Sequence, residues 1–398
     1  MINIGRSLDL LGFVTLISVY KIKFHSSEIG MCRLINFIVC ILLSAVSCFM
    51  VHPSGMLFAQ ENDDDKSSLE FDVKKSNLAY NPIYYIAKCR VYSGSVTIPS
   101  RIDGHLIEGI GDHSFSDLPL NEIKIPDSVS VIGSHAFENC DSLTNVLIPD
   151  SVAYIGHDAF TNCSSLQHIR LPGSLEETSG SLFDGCSSLE DVGIPSSIKN
   201  IGACTFKNCK SLESVEIPDS VKMIGQGAFC GCSSLKSVEI PDSVSEIGGG
   251  VFENCSNLAE VRLPNTLEEI FVDSFKGCVK LRSITIPSSV KIICSSAFER
   301  NISLETVVIP DSVNTIGYHA FMYCTKLTSI KIPDSVHVIE NGAFEGCVKL
   351  TDVYLPRYLE RIERDAFKDC SAKLTIHGKH GSLAEKYAKD NNFKFSAE

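Results

Sequence analysis

Residues 143–165 are LTNVLIPDSVAYIGHDAFTNCSS, and their apolar and turn positions return every 23 residues between Leu120 and Ala372. Proline marks the beat at Pro126, Pro149, Pro172 and onward to Pro356, and a phenylalanine follows each proline by eleven residues, from Phe137 to Phe367. The chain therefore holds eleven copies of one unit. A strict period of this length marks a solenoid, because one unit cannot bury its own apolar face and must lie on its neighbours.

Inside the unit, Val146 and Ile148 alternate with Asn145 and Leu147, which is the period of a strand. Pro149 ends the strand because it has no N–H for the next ladder bond. The spacing predicts one short strand per turn, stacked in parallel with its neighbours ~4.8 Å away. Asp150-Ser151 is a turn sequence. Val152 and Ile155 then open a second, weaker edge. In six units a glycine such as Gly156 or Gly225 closes it, which implies a corner with little room or with positive φ. The Ala159-Phe160 pair falls in a short helical or 3-10 turn, with the ring filling the centre of the coil. In eight units asparagine or glycine precedes the cysteine, as at Asn139, Asn162 and Gly185, and these residues enter the left-handed region at least cost.

The flanks divide as follows. Residues 1–59 form an export-signal region, with an alternative start at Met31, an apolar run from Leu34 to Met50, and a cut near Ala59. Retention of that run as a membrane anchor is the alternative. Residues 60–68 are an acidic linker. Residues 69–119 are a β-hairpin cap and an irregular first repeat, since Pro99 to Phe115 is sixteen residues where eleven are expected. The eleven regular repeats occupy 120–372. Residues 373–398 hold a last strand and a capping helix at 382–390, in which Ser382 and Glu385 have the spacing of a capping box. In one unit Thr178 enters an apolar column that is expected to tolerate it.

The chain has 398 residues and a formal net charge of −13, with no basic run longer than Lys74-Lys75. It cannot neutralise a row of phosphates, which excludes nucleic acid as a partner. Of 17 cysteines, ten share one repeat position, from Cys140 to Cys370, with Asn301 at the gap. A ladder keeps Cβ vectors parallel where a disulfide needs them to converge, so packed thiols are expected. His135, His157, His168 and His319 occupy variable positions and are assigned to the solvent side, as is the His157-Asp158 pair. The interrupted column of Asp127, Asp150, Asp219, Asp242, Asp311 and Asp334 supplies one carboxylate per turn, too few for calcium, and is assigned to turn capping. No catalytic residue, cofactor or metal is expected.

The unit resembles the 23-residue leucine-rich repeat of the BspA-like surface proteins of bacteria and some protists. Leu212, Val215, Ile217, Pro218, Ser220, Val221, Ile224, Gly225, Ala228, Phe229 and Cys232 carry the match. The resemblance implies a leucine-rich repeat solenoid that is secreted or displayed at the cell surface. It also implies adhesion to an extracellular protein or glycan, and it brings no catalytic or binding residue with it. A structural or assembly role in the cell envelope is the alternative, and the chain is expected to be a monomer or to self-associate weakly. The predicted binding face is the set of outward strand positions and their flanks: Arg170, Glu190, Asp191, Glu213, Glu216, Glu239, Arg262, Arg282, Lys331 and Tyr354. Its first part is acidic, and its later turns bring bases and an aromatic ring.

Overall fold

The computed structural model describes residues 70–76, 83–90 and 94–398. The expected export signal (1–59) and acidic linker (60–68) lie outside the described residues. The repeats form a parallel β-solenoid in which residues pair with those 23 further on, as Asn200 does with Met223 and Ser237 with Glu260. Each coil has three sides. The first is a three-residue strand such as Asn145–Leu147, in which Val146 is buried and its two neighbours are exposed. The second is a two-residue strand such as Tyr154–Ile155, where the weaker edge is expected. The third is the Ala-Phe segment, a chain of turns closed by bonds three residues apart; the amides of Ala228, Cys230 and Cys232 donate to the carbonyls of Gly225, Gly227 and Phe229.

Two left-handed residues per coil, and one in the last, keep this third side from winding into a longer helix. One is the asparagine or glycine before the cysteine, and Arg300, Tyr323 and Asp369 adopt the same conformation where the sequence offers neither. The other lies four residues earlier, at His135, Asp158 and Gly227 among others, and the sequence gives no sign of it because its residue types vary. The corner glycine is a matter of room. A Cβ on Gly156 would stand 2.4 Å from the amide nitrogen of Ser134, and one on Gly248 would stand 2.3 Å from that of Gln226.

Twelve phenylalanines, from Phe115 to Phe367, are fully buried and form one stack. Successive ring centroids are 5.0–5.7 Å apart with planes 4–23° from parallel. Beside them runs the cysteine column. Each ladder thiol, as in Cys163 and Cys232, donates to the carbonyl of the phenylalanine one coil back at 3.1–3.3 Å. At the gap, Asn301 is fully buried, and its amide oxygen and nitrogen have no hydrogen-bond partner among the described residues. A second set of ties comes from the Ser or Thr after the proline turn. The hydroxyls of Ser151, Ser243 and Thr266 donate to the carbonyls of Val129, Val221 and Val244 one coil earlier.

Both ends are closed by other structure. At the N-terminal end strands β1 (Glu70–Lys75) and β2 (Tyr84–Arg90) form an antiparallel hairpin, and β2 continues in parallel onto His105–Ile110. Phe71 meets Phe115 edge-on at 6.4 Å. At the other end the helix Leu383–Asp390 buries Ala384, Tyr387 and Ala388. Tyr387 sits edge-on to Phe367 at 6.0 Å. Its hydroxyl accepts from the Phe367 amide at 3.3 Å and donates to the Arg364 carbonyl at 3.0 Å.

The capping box is only half formed. The Glu385 carboxylate accepts from the amide of Gly381 at 2.7 Å, one residue before the expected donor, which holds its carboxyl below the usual range. Ser382 has an extended backbone, and its buried hydroxyl makes no capping bond. Thr178 is likewise a break. Its hydroxyl takes the Gly202 amide at 2.8 Å and faces that of Thr205 at 3.1 Å, and only a lone bridge from Glu177 to Asn200 crosses there. The polar side chain claims a bond that the regular coil gives to backbone.

Candidate functional site

The outward side of the three-residue strands is the face that sequence reasoning selects for recognition. Alternation along a strand sends the middle residue into the core and the first and third out to solvent. Leu147 and Val308, both third-position residues, are 65% and 72% exposed. No core position could carry the mixture found beside them, with Arg170, Gly193, Glu239, Arg262, Thr285 and Lys331 in the same column.

The predicted residues fall on this side in three groups. Arg170, Asp191, Glu239, Arg262, Lys331 and Tyr354 lie on strands. Glu190 and Arg282 lie just before one, and Glu213 and Glu216 lie in a coil that forms no strand at that point. All are exposed except Tyr354, which is half buried because its ring stacks on His377 at 4.3 Å. His377 is in turn held by Asp352, whose carboxylate lies 2.8 Å from Nε2, and this hydrogen bond lowers the Asp352 pKa.

The charges are less segregated than their order in the chain implies. Arg262 meets Glu239 one coil back at 2.7 Å and Asp242 at 3.5 Å. Lys236 pairs with Glu213 across the same 23-residue step. Two of the five expected acidic residues are thus matched by a base on the next coil. Glu190, Asp191 and Glu216 form no ion pair among the described residues. Lys236 escaped the sequence reading, although the register rule alone puts it beside Glu213. At the second edge, just before the two-residue strands, Glu176 with Lys199 at 2.7 Å and Glu268 with Lys291 at 3.0 Å repeat the pattern. Every partner is well exposed, and such pairs contribute little stability.

A depression of about 550 Å³ lies over the first regular coils, lined in part by Lys124, Pro126, Leu147, Pro149 and Arg170. The lining combines the apolar Leu147, the cations Lys124 and Arg170, and the carboxylates of Asp127 and Asp150. Asp150 is also structural, since its carboxylate accepts the Gly173 amide at 2.8 Å one coil on, and Asp242 does the same for Asn265 at 2.9 Å. Two members of the aspartate column, Asp150 and Asp242, thus bond to the backbone of the following coil.

One of the histidines considered for chemistry shares this face, since His168 opens the strand that ends in Arg170. His168 is exposed on a strand, and His157 faces the Gly180 amide through Nδ1 at 3.1 Å while Asp158 takes the Thr161 hydroxyl at 3.2 Å. Burial lowers the pKa of His319, with Glu299 and Glu345 opposing the shift.

The model of the BspA-type leucine-rich repeat region matches this chain with six copies, over residues 88–213, 200–328 and 251–373. The chain belongs to the BspA-type leucine-rich repeat family. Solved structures of similar build include a leucine-rich repeat protein from Bacteroides ovatus. It is 27% identical, with a TM-score of 0.56 over 82% of this chain and 98% of that one. A leucine-rich cell surface protein from Faecalibacterium prausnitzii is also 27% identical, with a TM-score of 0.57 over 85% of this chain and 98% of that one. No curated protein matches the chain. The BspA-type repeat accounts for the fixed columns, and the outward columns are where this chain differs from one coil to the next.

Proposed function

We propose that this BspA-type protein is a non-enzymatic, surface-displayed binding module that engages an extracellular protein or glycan through its strand face. The observation that carries the proposal is the contrast on single strands: the middle residue is apolar and buried or half-buried coil after coil, while the exposed third residue runs through Leu147, Arg170, Glu239, Val308 and Lys331. A long open face with freely variable side chains on a fixed core is what repeat proteins use for recognition. Display outside the cell is supported by the signal-like order of residues 31–59 and by the description of the Faecalibacterium prausnitzii relative as a cell surface protein. End-to-end assembly is disfavoured, because the hairpin and the helix cover the two ends of the stack.

Arrays of matrix proteins, mucins and bacterial glycans probed with the full chain test this reading. The triple variant Leu147→Asp, Glu216→Lys and Val308→Asp should lose the captured partner while keeping the circular dichroism spectrum of the parent. Lys210→Glu, on the turn side, should bind as the parent does. Loss of binding in Lys210→Glu with full binding in the triple variant would move the recognition surface off the strands.

A further inference from the structure

The turn side brings together three ligand-type groups from two consecutive coils next to the N-terminal cap. His113 and His135 occupy the same left-handed position one coil apart, with φ of 53° and 55°. Their rings stack at 4.5 Å, 5° from parallel. Oε2 of Glu138 stands 3.0 Å from Nδ1 of His135 and 3.9 Å from Nδ1 of His113. Ligand atoms of all three lie within 4.8 Å of one another, and no other such group occurs among the described residues.

We propose that His113, His135 and Glu138 form a binding site for a divalent transition metal, with Zn²⁺ as the ion their chemistry fits best. Two imidazoles and one carboxylate, with a fourth position open, are a donor set zinc accepts. Distances support it. Two donors on a tetrahedral ion with bonds of ~2.1 Å stand ~3.4 Å apart, and the two observed separations from the carboxylate oxygen, 3.0 and 3.9 Å, fall on either side of that value. The longer one exceeds any hydrogen bond, so His113 is held at ligand range by something other than a bond to Glu138.

That something is the backbone ladder. The His113 amide donates to the Ser134 carbonyl at 3.0 Å, the His135 amide to that of His157 at 2.9 Å, and the Glu138 amide to that of His135 at 3.2 Å. The backbone that carries the three ligands is thus fixed before any ion arrives, which reduces the ordering cost of binding, and the stacked rings have only to turn about their side-chain bonds to aim at it. The fold does not demand histidine here, since the same position is Gly227, Gly250 and Gly342 in later coils. The His113 side chain is 58% exposed, leaving water access to the fourth position. An ion at this place would tie the irregular first coil to the first regular one.

Titration of the full chain with Zn²⁺, in a reductant that carries no thiol, tests the site, and Co²⁺ serves as its optical probe. The parent should bind one equivalent at this site, and Co²⁺ should give visible bands without the near-ultraviolet charge-transfer band of thiolate ligation. His113→Asn and Glu138→Gln should each weaken that binding by more than ~10-fold, the loss that even outer partners of a ligand can cause. Asparagine accepts the left-handed backbone, so the fold is kept, and unchanged circular dichroism checks it. The double variant Cys204→Ser, Cys230→Ser should bind as the parent does. Absence of binding at micromolar ion, equal binding in all variants, or a thiolate band that disappears in the cysteine variant would each overturn the proposal.

Discussion

The turn side and the strand side of the solenoid are built from the same repeat, yet only one of them is continuous. On the turn side each phenylalanine amide from Phe115 to Phe344 donates to the next coil at 2.7–3.0 Å without a gap, and the rings beneath stack without a gap as well. On the strand side the three-residue strands fall into separate sheets of five, two, two and four, and the coil at 214–216 joins none of them. Packing and hydrogen bonding along one side hold the coils at their spacing, so the other side can open between strands and change its outward residues. The side that carries stability and the side that carries variation are different sides.

The comparison can be broken most easily by Phe229→Ala. Removing a ring from the middle of the stack leaves a cavity between two coils and is expected to cost about 3–5 kcal/mol. Leu147→Ser on the strand face should stay within about 0.5 kcal/mol of the parent. Urea denaturation of both variants gives the contrast directly, and equal losses would dissolve it.

Tyr387→Phe should cost about 1–3 kcal/mol, because the Phe367 amide is left without an acceptor at the end of the ladder. Hydrogen exchange at Phe367 should rise before exchange in the central coils does. Asn301→Cys sharpens the comparison from the other direction. A thiol there can donate to the Phe275 carbonyl as its neighbours do, and two buried polar atoms without partners disappear, so a gain of about 1–2 kcal/mol is expected in thermal melts. Smallest of all, Arg262→Gln should cost less than about 1 kcal/mol, and the difference should vanish in high salt, because the pair with Glu239 is exposed.

The fold was legible because its information is periodic. Proline, phenylalanine and cysteine fix the phase of every coil, and phase alone determines which residues stack. What escaped the sequence follows from contacts between coils that are not periodic in residue type. The second left-handed position is filled by His135, Asp158, Cys204 and Gly227, which share no propensity strong enough to mark it. Thr178 opens the ladder through a bond to Gly202, a partner visible only when two coils are placed side by side. The outward columns were legible as exposed positions. Their pairing was not read, although the 23-residue step sets Lys236 beside Glu213 and Arg262 beside Glu239. His113 lies in the irregular first coil, outside the regular count, so its meeting with His135 needed the structure.

Native-state hydrogen exchange resolved by residue tests the division between the two sides most directly. Exchange limited by global unfolding is expected at the amides of Phe160, Phe183, Phe206 and Phe229, whereas the amides of residues 214–216 should exchange through local opening at much lower free energy. Equal protection on both sides, or stronger protection at 214–216 than at Phe206 and Phe229, would contradict the claim that the turn side holds the solenoid together.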